Sequence, residues 1–170
     1  MSSEIINRVA NSTLITFDLE DYYPVGERFL FDIKDWLHEG LVLREKDFRK
    51  KASEYDWSGH QDQFVALTCS TDAIIPAWAF MLIGTYLQPY AGKVVSGDLL
   101  TLESTLYTEI IQNLDVSHLQ NKSVIIKGCT NKPVPENAYI LLIAKLQPIV
   151  KSLMYGEACS SVPLYKKAKL

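Results

Sequence analysis

Residues 64–98 read FVALTCSTDAIIPAWAFMLIGTYLQPYAGKVVSGD, and residues 123–157 read SVIIKGCTNKPVPENAYILLIAKLQPIVKSLMYGE. The two stretches share one grammar. Pro76, Ala79, Leu82, Leu87-Gln88-Pro89 and Gly97-Asp98 recur 59 positions later as Pro135, Ala138, Leu141, Leu146-Gln147-Pro148 and Gly156-Glu157. One deletion between cysteine and proline also aligns Cys69 with Cys129. Each stretch opens on a short apolar, partly β-branched run (63–68 and 123–127), which fits a strand buried on both faces. A turn rich in capping side chains follows. The proline then suits a first helical turn, where its missing N–H would have no partner. Helices are predicted over Ala77 to Gln88 and Pro135 to Gln147, stopped by Pro89 and Pro148. Extended runs at 93–96 and 152–155 complete a β-α-β unit in each stretch.

Between the units, Leu102, Leu106, Ile110, Ile111 and Leu114 recur at spacings of three to four, the mark of an amphipathic crossover helix. Strands alternating with helices of this length imply an α/β fold, because each crossover must return to the same edge of the sheet. The expectation is a three-layer single domain over 1–170: a largely parallel sheet built from two repeated β-α-β units, with a mostly helical N-terminal extension. Its parts are the extension 1–60, the first unit 63–98, the crossover 99–121, the second unit 123–159 and a tail 160–170. Within the extension, Thr13 to Asp18 reads as a strand, while Phe29 to His38 and Glu45 to Tyr55 read as helices. The acidic run Asp18 to Pro24 reads as a solvated loop capping a helix, with a ligand-contacting loop as the alternative. Leu164 to Lys169 reads as a solvated basic tail.

The composition is that of an ordinary folded domain: 170 residues, 48% hydrophobic and 22% charged, enough to bury a core without staples. A net charge of -3 provides no electrostatic reason to expect a polyanion such as nucleic acid. The longest apolar run, Ala73 to Ile83, is short of the roughly 20 residues that span a bilayer. The opening MSSEIINRVANS lacks a basic segment followed by an apolar one, so a cytoplasmic location is expected. Three widely separated cysteines in a reducing compartment point to free, metal-bound or catalytic thiols rather than disulfides.

A strand order 93–97, 63–68, 123–128, 152–156 would end the strands of Cys69 and Cys129 side by side, roughly 5 Å apart at the carboxyl edge. Cys159 would emerge beside Cys129, and Asp98 and Glu157 would share that edge. This arrangement predicts a metal site of Cys69, Cys129, Cys159 and Asp98. Thiolates are soft donors, so zinc or an iron–sulfur species is the expected occupant. A tetrahedral zinc needs a fourth ligand, for which Asp72, Asp98 and Glu157 are the best placed. Helix N-termini favour thiolates, and Lys132 near Cys129 would favour that one further. Two other readings stay open. One is a thiol enzyme with Cys129 as nucleophile and Asp98 or Glu157 moving protons. The other is a binding or scaffold module whose cysteines are core residues. Ser70, Thr71, Thr130 and Asn131 could cradle an anion, although plain N-capping is the better account of them. His38, His60 and His118 show no ligand-type pairing, and GxSxG, P-loop and GxGxxG motifs are absent.

The phrases DLEDYYP, FDIKDWL, LREKDFR, ALTCSTDAI, IKGCTNKPVP and SVPLYK carry a resemblance, over nearly the whole chain, to the bacterial family known as domain of unknown function 2480. The resemblance implies no particular activity or cofactor. The family's association with iron–sulfur assembly neighbourhoods would favour a sulfur- or iron-handling role, such as an accessory to metal or sulfur handling. The partners expected are a second copy of the chain and a protein of metal or sulfur handling, with neither nucleic acid nor membrane among them.

Overall fold

Among residues 14–128, 131–157 and 160–168, which the computed structural model describes, seven strands and four α-helices form two sheets. Six of the strands run in parallel pairings, so the chain is an α/β protein. It divides into two compact units, Pro24–Leu106 and Met1–Tyr23 with Tyr107–Leu170.

The Pro24–Leu106 unit holds β2 (Arg28–Asp32), α1 (Glu45–Glu54), β3 (Phe64–Thr68), α2 (Ala77–Leu87) and β4 (Lys93–Ser96). It also holds the first half of α3 (Leu99–Asn113). Its sheet has the order β2-β3-β4. Successive side chains of a strand point to opposite faces, and β3 uses both. Val65 and Leu67 pack with Phe48 and Ala52 of α1 and with Ala79, Ile83 and Leu87 of α2. Ala66 packs with Leu102 and Leu106 of α3. This unit is therefore three layers deep. Arg28 of β2 meets Glu103 of α3 through two hydrogen bonds, 2.6 and 3.3 Å, at a site where both side chains are mostly buried.

The second unit holds β1 (Leu14–Phe17), the rest of α3, β5 (Ser123–Ile126), α4 (Glu136–Leu146), β6 (Ser152–Glu157) and β7 (Ser160–Lys166). Its sheet has the order β1-β5-β6-β7, with β7 alone antiparallel. Val124, Ile126 and Leu153 of the sheet pack with Tyr107 and Ile111 of α3 and with Ala138, Leu142 and Leu146 of α4.

Details recur across the 59-residue offset. Ala79, Ile83 and Leu87 are buried in one unit, and Ala138, Leu142 and Leu146 in the other. Asp62 N donates to Tyr90 O at 2.9 Å and Asn121 N to Ile149 O at 2.8 Å. Both donors have left-handed backbones, with φ of 59° and 58°, a conformation that Asn and Asp tolerate better than most residues.

Three expectations need correction. The strands of the two β-α-β units do not join in the order 93–97, 63–68, 123–128, 152–156. A strand has only two edges, and β3 gives both to β2 and β4 while β5 gives both to β1 and β6. Phe29 to His38 is not a helix. Five registered positions of β2 pair with β3, from Arg28↔Phe64 to Asp32↔Thr68, and only Ile33–Trp36 forms a 3-10 turn. The apolar spacing of Leu30, Ile33 and Leu37 imitates a helical stripe, yet Leu30 is exposed. Finally, the basic tail carries strand β7, whose pairing to β6 satisfies the backbone groups that a solvated tail would leave to water.

Candidate functional site

Strands β1, β5 and β6 are parallel neighbours, so their carboxyl ends lie along one edge. Phe17 pairs with Ile126, and Ile126 with Tyr155. Asp18 follows β1, Lys127 and Gly128 follow β5, and Gly156 and Glu157 are the last residues of β6. Lys127 N continues the ladder by donating to Phe17 O at 2.9 Å. Its side chain then crosses to Asp18, Nζ to Oδ2 at 2.6 Å. Asp18 Oδ1 accepts from Glu20 N at 2.9 Å, capping the 3-10 turn Leu19–Tyr22. Burial works to raise the Asp18 carboxyl, but the Lys127 hydrogen bond and the Glu20 N–H outweigh it, leaving it below the ordinary aspartate range. The hydrogen bond to Asp18 holds Lys127 above the ordinary lysine value.

Glu20 holds the loop between β5 and α4. Its carboxylate accepts from Asn131 N and, at 2.9 Å, from Lys132 N, while Lys132 Nζ donates to Glu20 O at 3.1 Å. The same ammonium lies 5.4 Å from the centre of the Tyr23 ring. Tyr155 donates from its hydroxyl to Gly128 O at 3.3 Å. A Cβ at Gly128 would stand 2.9 Å from Cζ of Tyr155, so a side chain there would push the tyrosine ring aside. Cys129 and Thr130, and on the β6 side Ala158 and Cys159, lie outside the described residues. The described neighbours are Gly128, which follows β5, and Glu157, which ends the adjacent strand β6.

The other unit has a comparable edge. Phe31-Asp32-Ile33-Lys34-Asp35-Trp36 matches Phe17-Asp18-Leu19-Glu20-Asp21-Tyr22 in kind, a strand ending in an aspartate that caps a 3-10 turn. Asp32 Oδ1 accepts from Lys34 N at 3.0 Å and from Ser70 N at 3.1 Å. Burial raises the Asp32 carboxyl, and the hydrogen bonds of Ser70 and Lys34 more than reverse that. Cys69 is half-buried against the core of its own unit, with Sγ 3.3 Å from Thr71 Oγ1. Asp72 is exposed. Asp98 caps α3, its Oδ1 accepting from Thr101 N and Thr101 Oγ1, both at 2.7 Å. These two bonds hold its carboxyl below the ordinary range.

Of the sulfur and acid residues expected to converge, Cys69 and Asp98 belong to Pro24–Leu106 and Glu157 to the other unit, while Cys129 and Cys159 lie outside the described residues. Ser70 serves Asp32 through its backbone, Thr71 sits against Cys69, and Asn131 serves Glu20 through its backbone. Among the described residues, no group of three or more His, Cys, Asp and Glu side chains could hold a metal ion. His60 is buried between Tyr55 Oη and Gln63 Oε1, both at 2.9 Å; His38 lies 3.7 Å from Glu39, and His118 is exposed. Sequence reasoning took Asp18 and Glu20 only as part of an acidic loop and passed over Lys127. The signal that would have found them is the likeness of FDLEDY at 17–22 to FDIKDW at 31–36.

The chain belongs to the family described as protein of unknown function DUF2480, whose model matches residues 3–167. Neither the curated proteins nor the solved structures contain a match. Among the described residues, no helix is long and apolar enough to cross a membrane.

Proposed function

We propose that this member of the DUF2480 family holds a soft metal ion, zinc or iron, through Cys129 and Cys159 at the carboxyl edge of the β1-β5-β6-β7 sheet, as an accessory to metal or sulfur handling. The observation that supports the reading is that Gly128, two residues past the end of β5, and Glu157, the last residue of its parallel neighbour β6, come to one sheet edge, where Tyr155 of β6 bonds to Gly128 O. Two thiols entering from such neighbours need little loop to share an ion, since zinc–sulfur bonds run about 2.3 Å. Glu157 supplies a carboxylate on the same strand, and Glu20 clamps the chain just after Thr130. Cys69 already has a partner in Thr71, so a role as third sulfur is the open element of the proposal.

The thiol-enzyme reading has less in its favour. Lys127, the cation nearest Cys129 on its amino side, is neutralised by Asp18. Asp98, with its carboxylate held ionised by Thr101, is a poor proton donor near neutral pH.

Cobalt titration of the reduced, full-length chain tests the proposal, because thiolate-to-cobalt charge transfer reports sulfur ligation directly. One equivalent should saturate the near-ultraviolet band, and Cys129→Ser or Cys159→Ser should each abolish or greatly weaken it. Loss in Cys69→Ser as well would make the site a three-sulfur one. A parent protein with no charge-transfer band would overturn the proposal.

A further inference from the structure

Beyond the thiol edge, the opposite, amino edge of the same sheet carries a row of lysines. Lys151 N donates to Lys122 O at 2.7 Å, and Lys167 N donates to Lys151 O at 2.9 Å. Lys122, Lys151 and Lys167 therefore stand in line across the ends of β5, β6 and β7. With strands about 4.8 Å apart, the row is about 10 Å wide. Lys166, paired with Ser152, adds a fourth ammonium next to it. All four side chains are exposed, and none is in an ion pair within the described residues. Arg28, Lys34, Arg49, Lys50 and Lys127 all face carboxylates.

The local sequence keeps acids away from this row. From residue 116 to the end there are eight lysines against two carboxylates, Glu136 and Glu157, a net of +6, while residues 1–115 carry -9. Like charges on adjacent strands repel, and nothing in the packing requires lysine at these exposed places. A local rule broken without a compensating contact marks a surface that meets something outside the fold.

We infer that this lysine row docks a short acidic segment of a partner protein, three or four carboxylates long. Width and charge argue for a short segment. Screening confines the field of the row to roughly 8 Å at physiological ionic strength, and a long polyanion or an extended anionic bilayer would also meet the chain's net negative charge. Single-stranded nucleic acid is further disfavoured because the segments Lys122-Ser123, Lys151-Ser152 and Lys166-Lys167-Ala168 offer no aromatic ring on which a base could stack.

Fluorescence anisotropy of a labelled deca-glutamate peptide against the full chain tests the inference. Saturable binding should weaken as salt rises. Lys151→Glu with Lys167→Glu should raise Kd about tenfold, the loss expected when a few surface attractions become repulsions. Lys46→Glu on α1, in the other unit, changes the charge by half as much and should leave Kd within about twofold. Circular dichroism confirms that the exposed substitutions leave the fold intact. The inference falls if the parent chain shows no saturable binding at low salt, or if Lys46→Glu weakens binding as much as the paired reversal. It falls equally if a single-stranded oligonucleotide or a phosphatidylserine vesicle binds more tightly through the same lysines.

Discussion

Replacing Glu103 by alanine should destabilise the Pro24–Leu106 unit by about 3 kcal/mol, the low end of what breaking a buried ion pair costs. The figure follows from what Arg28 loses and what it keeps. It loses both bonds to Glu103, at 2.6 and 3.3 Å, each of a charge-assisted kind that contributes about 1.5–3 kcal/mol. It keeps Pro24 O at 2.9 Å, Gly26 O at 2.6 Å and the face of Phe64, 5.2 Å from its guanidinium carbon. Those partners prevent the guanidinium from being stranded, so the upper end of the range is not reached. With a urea m-value of about 2 kcal/mol per molar, the midpoint of that unit's transition should fall by about 1.5 M. Arg28→Met combined with Glu103→Leu removes both charges and should cost less than the sum of the singles, giving a coupling energy of at least 1 kcal/mol. Urea unfolding of the four proteins of this cycle measures both quantities. A Glu103→Ala cost under about 1 kcal/mol, or strict additivity in the double variant, would refute the assignment of this pair as a buried anchor between β2 and α3.

Ile83→Ala and Leu142→Ala remove fully buried side chains at matching places in α2 and α4 and should each cost about 3 kcal/mol in chemical denaturation; a loss in one and near neutrality in the other would break the equivalence of the two packing sites. Acid should weaken both units through Asp18 and Asp32. Each carboxyl lies below its ordinary value in the folded chain, so its stabilising contribution is complete above the unfolded value near 4 and is lost as pH falls toward the lower folded one. Asp18→Asn with Asp32→Asn should therefore flatten the acid limb of a stability-versus-pH profile, and an unchanged slope would assign that limb to other groups.

Much of the fold was legible because its signals are local. Pro76 and Pro135 at helix starts, Pro89 and Pro148 at their ends, and the apolar runs before Cys69 and Cys129 each act within a few residues. Helices α2, α3 and α4 and strands β3 to β6 lie where those signals put them. The extension was harder. Residues 29–32 hold a strand whose backbone partners are 36 positions away, while their apolar spacing imitates a helix. The site was legible in part. That Gly128 and Glu157 reach a common edge follows from parallel β-α-β geometry alone. The pairing of Asp18 with Lys127, 109 residues apart, and the grip of Glu20 on Lys132 depend on β1 lying beside β5, for which the sequence carries no local mark.

By itself, the sequence determined which segments are strands and helices around Cys69 and Cys129, because capping, proline stops and apolar periodicity are properties of short windows. Only the tertiary structure decided which strands are neighbours. β3 and β5 each spend both edges within their own sheets, on β2 and β4 and on β1 and β6. Hydrogen-bonding capacity at strand edges is finite and is allotted by long-range packing. That allotment puts β3, which leads into Cys69, and β5 in different sheets, gathers Asp18, Glu20 and Lys127 around β5, and lines up the lysines at the other end of the same sheet.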